Sequence, residues 1–182
     1  STRHDTGAVG KTIGDLAARS ERAPEEVLLE LLHTNQLQVA IFNEALSEET
    51  MHGAAGRDFA VIATDGVGQG AVSTPTDLPH PRSFGTFPRA FDLFVRQRKD
   101  LGWKEMIYKM TGLPASIVGI KDRGLLKVGM AADITVLNPE TIQDRATIDA
   151  PRQFSEGVEW VLLNGAMAVS GGVPTADLSG RV

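Results

Sequence analysis

The chain has no cysteine, no block of Lys or Arg, no apolar run near the roughly 20 residues that span a bilayer, no internal repeat and no low-complexity tract. Each absence excludes something. Without cysteine there is no disulfide framework, no thiolate nucleophile and no thiolate metal ligand, and oxidising export gains no support. A formal charge of −5 without a basic patch argues against a nucleic-acid backbone or an anionic membrane as partner. Residues 1–10 carry neither the basic nor the apolar segment of a secretory leader. The expectation is a soluble, cytoplasmic protein with a small-molecule ligand. Its 182 residues, 42% hydrophobic and 23% charged, are enough for a sizeable core.

Several chemistries are missing as well. His4, His33, His52 and His80 form no H-x-H and no i, i+4 pair, so local spacing assembles no metal-ligand set. No nucleophile elbow and no G-x-x-x-x-G-K loop is present, which removes Ser/His/Asp catalysis and phosphate cradling. Lys104, Lys109 and Lys121 read as solvated. His33 and His52 read as dipole or surface residues of short helices.

What is present alternates between helix and strand. Ile13, Leu16 and Ala17 give helical spacing closed by Ser20, and Pro24 followed by Glu25 and Glu26 opens a helix with an apolar face at Val27, Leu28, Leu31 and Leu32. Leu37 to Phe42 reads as a short strand, Ser47-Glu48-Glu49 as a helix start, and Phe59 to Ala63 as a strand buried on both faces. That alternation suits βα units around a parallel sheet or barrel. A long Gly/Ser/Thr/Pro-rich loop runs from Gly66 to Pro81, and helices are expected from Pro88 to about Lys99, over Trp103 to Met110, and again at Leu113-Pro114-Ala115. Beyond residue 122 the pattern changes to short strands over 132–137, 158–163 and 166–169, with Asn164-Gly165 as a hairpin turn. The chain is thus expected to divide into 1–122 and 123–182.

Two places could carry chemistry. Asp65 ends the apolar run and faces the long loop, where a carboxylate could bind a metal or take a proton; Asp-Gly is equally ordinary turn chemistry, and spacing alone favours the turn. The segment from His80 to Arg89 packs two arginines, a histidine, two phenylalanines and two prolines just before the expected helix. Arg82 there offers a planar fork for a carboxylate, although a surface arginine is the plainer reading.

These segments also resemble a known family. Phe59 to Gly66, His80-Pro-Arg-Ser-Phe-Gly-Thr-Phe-Pro-Arg89, Lys109-Met-Thr-Gly-Leu-Pro-Ala115, Asp122-Arg-Gly124, Lys127 to Leu137 and Val161-Leu-Leu-Asn-Gly165 are similar, in order, to the C-terminal portion of D-aminoacylases, the N-acyl-D-amino-acid deacylases of the amidohydrolase superfamily. The Ala-Asp-Ile-Thr-Val stretch is shared across amidohydrolases, whereas the His-Pro-Arg segment is narrower to the deacylases.

The resemblance implies an α/β fold, namely the last strands and helices of a (β/α)8 metal-hydrolase barrel in 1–122 and the C-terminal strands of a small β-sandwich in 123–182. It implies a metal-dependent hydrolase that cleaves the amide bond of N-acyl-D-amino acids. Asp65 corresponds to the general base, which can also touch the metal, and Arg82, with His80 beside it, to the group that grips the substrate carboxylate. Zinc is implied for the complete enzyme and not for this chain alone, because the family's other metal ligands precede the residues present here. The implied outcome is a chain inactive by itself, completed by self-association or by a missing N-terminal half. One departure is Ala63-Thr64 where the family has Gly-Ser before the aspartate. The alternatives are a non-catalytic interaction module derived from an amidohydrolase, and another amidohydrolase such as a dihydropyrimidinase-like enzyme.

Overall fold

The computed structural model describes residues 6–43, 45–68 and 79–180. Helix α1 (Ile13–Ser20) starts where Thr12 and Asp15 form a reciprocal cap: the Asp15 N–H donates to Thr12 Oγ1 at 3.0 Å and the Thr12 N–H to the Asp15 carboxylate at 3.4 Å. Helix α2 (Pro24–Thr34) begins with the expected proline, whose missing N–H costs nothing in a first turn, and with two acidic residues against the positive end of the dipole. Ala17 of α1 buries against Val27 and Leu31 of α2 in a small apolar cluster. Helix α3 (Glu48–Ala55) is capped by Ser47, whose Oγ accepts the Thr50 N–H at 3.2 Å.

Two expected strands are not formed. Residues 37–42 hold only an isolated bridge at Val39 and leave Leu37 and Ile41 exposed, with Gln36 and Leu37 both at positive φ. The apolar run from Phe59 to Ala63 has no strand beside it among the described residues, and Phe59 is 78% exposed. Apolar composition meets a strand's need for burial, but its backbone groups are satisfied only by a neighbour at ladder distance.

Helix α4 (Arg82–Ala90) corrects the expected start at Pro88: the helix begins at the arginine of the His-Pro-Arg segment. Pro81 precedes the first turn, where a proline fits, while Pro88 lies inside the helix. Pro88 cannot donate to the carbonyl of Phe84, and that oxygen accepts the Ser155 hydroxyl at 3.3 Å instead. Directly after it the coil widens into a π-helical segment, Phe91–Gln97. Helices α5 (Trp103–Met110) and α6 (Gly112–Val118) follow as expected, and α6 ends at Gly119 in the left-handed region, φ 79°.

The C-terminal strands form one antiparallel sheet in chain order, β1 (Ile134–Leu137), β2 (Val158–Leu163), β3 (Ala166–Ser170) and β4 (Val173–Pro174), the last of them not expected from the sequence. Leu163 pairs with Ala166 across Asn164 and Gly165, whose φ values of 51° and 82° make the primed turn that matches strand twist. Three of the motif segments meet there. Arg123 reaches the Asp133 carboxylate and the Asn164 side chain, and the Asn164 N–H donates to Asp133 Oδ1 at 2.7 Å.

The main core takes Phe91, Phe94 and Val95 from the π-helical segment, Met106 from α5, and Ile142 from the loop between β1 and β2, with Leu137 and Val158 packed against it. Arg96 donates to the Ile142 carbonyl at 2.8 Å, so helices and sheet share one apolar cluster across position 122.

Candidate functional site

The loop Thr64-Asp65-Gly66 lies against the first turn of α4. Thr64 makes the join: its hydroxyl bonds the Arg82 carbonyl and the Thr86 hydroxyl, each at 3.1 Å, and accepts the Gly66 N–H at 2.9 Å. The Val67 N–H reaches Ser83 Oγ at 3.3 Å. Gly66 is required by this approach, since a Cβ there would stand 2.9 Å from Ser83 Cα and 3.0 Å from the Arg82 carbonyl oxygen.

That contact brings Asp65 and Arg82 together. Arg82 Nη2 lies 2.7 Å from Asp65 Oδ2, and Arg82 Nε donates to the Asp65 main-chain carbonyl at 3.1 Å. The carboxylate side chain is 87% exposed and the guanidinium side chain 44%. Asp65 therefore sits in a turn braced by α4 and open to solvent. Of the five N–H donors of a guanidinium, two are taken by these contacts and the remaining three can meet an anion.

His80 completes the group. Its Nδ1 accepts the Arg82 main-chain N–H at 3.0 Å, satisfying a donor that the start of α4 would leave unpaired. Its ring packs edge-on against Phe42 with centroids 4.8 Å apart. Burial lowers the affinity of His80 for a proton, the Arg82 cation lowers it further, and the Asp65 carboxylate opposes both. The neutral ring, with its proton on Nε2, is the form compatible with the Nδ1 bond.

His33 ends α2, as expected. His52 is not a surface residue: its ring packs edge-on against Phe94 with centroids 5.1 Å apart and Nδ1 3.4 Å from Asp100. His4 and most of the Gly66 to Pro81 loop lie outside the described residues. No three His, Cys, Asp or Glu side chains converge among the described residues. Asp65 faces a cation and His80 has one nitrogen committed to the α4 main chain, so these residues by themselves do not fit a metal ion.

Two contributors were not legible as such. Thr64 bonds the loop to α4 through its hydroxyl, at the Arg82 carbonyl and the Thr86 side chain. Lys109, expected in solvent, is 1% exposed. Its place three residues after the buried Met106 was the available signal, because i and i+3 share a helix face.

The chain is similar to N-acyl-D-amino-acid deacylases in sequence and in structure. The N-acyl-D-glutamate deacylase of Alcaligenes xylosoxydans xylosoxydans is 43% identical over 114 residues, 62% of this chain and 23% of that protein. The D-aminoacylase of the same organism is 37% identical over 114 residues, 62% of this chain and 24% of that protein. A solved N-acyl-D-glutamate deacylase from Bordetella bronchiseptica, complexed with zinc and a phosphonate mimic of the tetrahedral intermediate, superposes with a TM-score of 0.74 at 27% identity, over 95% of this chain and 35% of that one. A solved D-aminoacylase, described by the functional role of its binuclear metal centre, superposes with a TM-score of 0.79 at 28% identity, over 100% of this chain and 36% of that one. The chain spans about a quarter of the length of these sequence relatives and about a third of the solved ones. The profile described as "Amidohydrolase family" matches residues 4–169, and on that extent of agreement the chain belongs to the amidohydrolase family.

Proposed function

We propose that this chain supplies a proton-transferring carboxylate, Asp65, and a carboxylate-binding guanidinium, Arg82, to the hydrolysis of the amide bond of N-acyl-D-amino acids. The observation that carries the reading is the 2.7 Å approach of Arg82 to Asp65 at an open edge, formed by two segments whose sequences resemble those of the deacylases. Amide hydrolysis needs a base for the attacking water and an acid for the leaving amine. Asp65 takes a proton from water as its oxygen bonds to the acyl carbon, and returns that proton to nitrogen as the carbon–nitrogen bond breaks. Arg82, beside it, holds the α-carboxylate of the substrate and so fixes the amide within reach of the base. His80 holds the start of α4 and thereby the Arg82 main chain.

The fold reading is proposed on the same footing. In it, residues 1–122 are the last strands and helices of a barrel and residues 123–182 the C-terminal share of a β-sandwich; its support is the superposition of the chain on solved deacylases with TM-scores of 0.74 and 0.79. Zinc belongs to the complete enzyme in this reading, held by residues beyond those described, and the chain by itself is inactive. The exposed apolar residues between 37 and 67 are covered by the rest of such an enzyme or by a second copy.

Complementation tests the reading. The chain is mixed with a fragment of the A. xylosoxydans N-acyl-D-glutamate deacylase that lacks the matching region, and acetate release from N-acetyl-D-glutamate is followed with zinc present. Activity is expected only in the mixture, with Asp65→Asn lowering kcat at least about a hundredfold, the scale of a general base, and Arg82→Gln acting mainly on KM. Deacylation by the 182 residues alone, or an Asp65→Asn mixture of undiminished rate, refutes it.

A further inference from the structure

We infer that Lys109 is a positioning residue for Asp65, standing in for a neighbouring strand along residues 57–62. The inference rests on the proposed role of Asp65 and adds to it a residue in a different helix.

Lys109 lies in the last turn of α5 and is 1% exposed, a costly place for an ammonium unless its donors are met. They are met by main-chain oxygens of one segment. Lys109 Nζ donates to the Arg57 carbonyl and, at 3.2 Å, to the Ala60 carbonyl, with the Glu105 carboxylate 3.9 Å away. The Lys109 main chain takes part as well, its carbonyl accepting the Ile62 N–H at 3.1 Å. One residue thus holds three backbone groups of a segment that has no strand beside it among the described residues. An apolar side chain at 109 would fill the space but take its donor from the Ala60 carbonyl, while the Arg57 carbonyl keeps the Ala60 N–H at 2.9 Å.

Two residues separate Ile62 from Asp65, and one of them, Thr64, ties that stretch to α4 by side-chain bonds to Arg82 and Thr86. The height at which 57–62 lies on α5 therefore sets whether Asp65 meets Arg82. The two anchors act from opposite ends of a short lever: Lys109 from α5 and Thr64 from α4.

The test compares the full 182-residue chain with Lys109→Met and Lys109→Arg by NMR, following exchange of the Ile62 amide, of Arg82 Nε–H and of the β2 and β3 amides. In Lys109→Met the Ile62 amide and Arg82 Nε–H are expected to exchange more than about tenfold faster, while the sheet amides keep their protection and Lys109→Arg recovers part of both losses. Faster exchange at Ile62 with Arg82 Nε–H unchanged would leave Lys109 a purely structural residue and overturn the inference. Reductive methylation of the unaltered chain keeps the claim testable should Lys109→Met not fold: Lys104 and Lys121 are expected to react well before Lys109, and equal reactivity overturns it. Neither readout uses hydrolysis, so failure here and failure of the deacylase reading are separable.

Discussion

His80 Nδ1 can accept the Arg82 N–H only while that nitrogen carries no proton, which couples the start of α4 to pH. Burial against Phe42 and the neighbouring Arg82 cation hold the imidazole below its ordinary value of 6.5, with Asp65 pulling the other way. The sign follows from comparing folded and unfolded chains. The unfolded chain takes up the proton first as pH falls, so stability from the neutral ring is complete above 6.5 and is lost as pH drops below it toward the lowered folded value. Urea midpoints are expected to fall across that window in the unaltered chain and to fall less in His80→Asn, whose side chain can cap the helix without titrating. Equal slopes in the two proteins would remove His80 from the coupling. Asp15, Asp133 and Glu156, each lowered by a hydrogen-bond partner, lose their contributions only below their ordinary values of 3.8, 3.8 and 4.5, outside this window. At this scale Asp65 and Arg82 were legible because their segments match a known order. Lys109 was not, since a lysine is charged and usually solvated, and its partners lie about fifty residues earlier in the chain.

Helix α4 shows how an element can carry a residue that local rules forbid. Pro88 removes one N–H, and Ser155 supplies the replacement donor to the Phe84 carbonyl. Ser155→Ala is therefore expected to cost about 1 kcal/mol by leaving that oxygen without its donor. Pro88→Ala returns an N–H to the helix and makes the hydroxyl redundant. A double-mutant cycle by chemical denaturation should show Ser155→Ala costing less on the Pro88→Ala background than alone. Additive effects would mean that Ser155 acts elsewhere. The same helix marks where sequence reading stops. Prolines at 81 and 88 suggest a stiff lead-in to a helix, and only the distant Ser155 makes a continuous helix tolerable. Local signals served well where they were self-contained, as at the Pro24 helix start, the Ser47 cap and the Asn164-Gly165 turn. They misled at residues 37–42 and 59–63, because apolar patterning records that a segment is to be buried and not which neighbour buries it.

For the whole chain, the distribution of apolar side chains has a consequence of its own. Met106, Ile142, Phe91 and Phe94 are buried in a core shared by helices and sheet, yet Leu37, Ile41, Leu46, Phe59 and Val67 stand open to solvent. Single exposed apolar residues are ordinary, but seven large ones within 31 positions, Phe42 and Met51 among them, on a stretch with no strand partner among the described residues, are the kind of surface that proteins cover. Among the described residues no helix is long and apolar enough to cross a membrane. On the proposal that these residues face the remainder of an amidohydrolase, the isolated chain should bind an apolar dye and sediment as more than one 19.5 kDa unit. Phe59→Ser should reduce both effects without shifting the denaturation midpoint by much, because the residue contributes little to the core. Adding the complementary fragment of the A. xylosoxydans relative should suppress dye binding in proportion to the complex formed. A compact monomer that binds no dye would show instead that this surface is stable in water, and the expected partner would lose its physical reason.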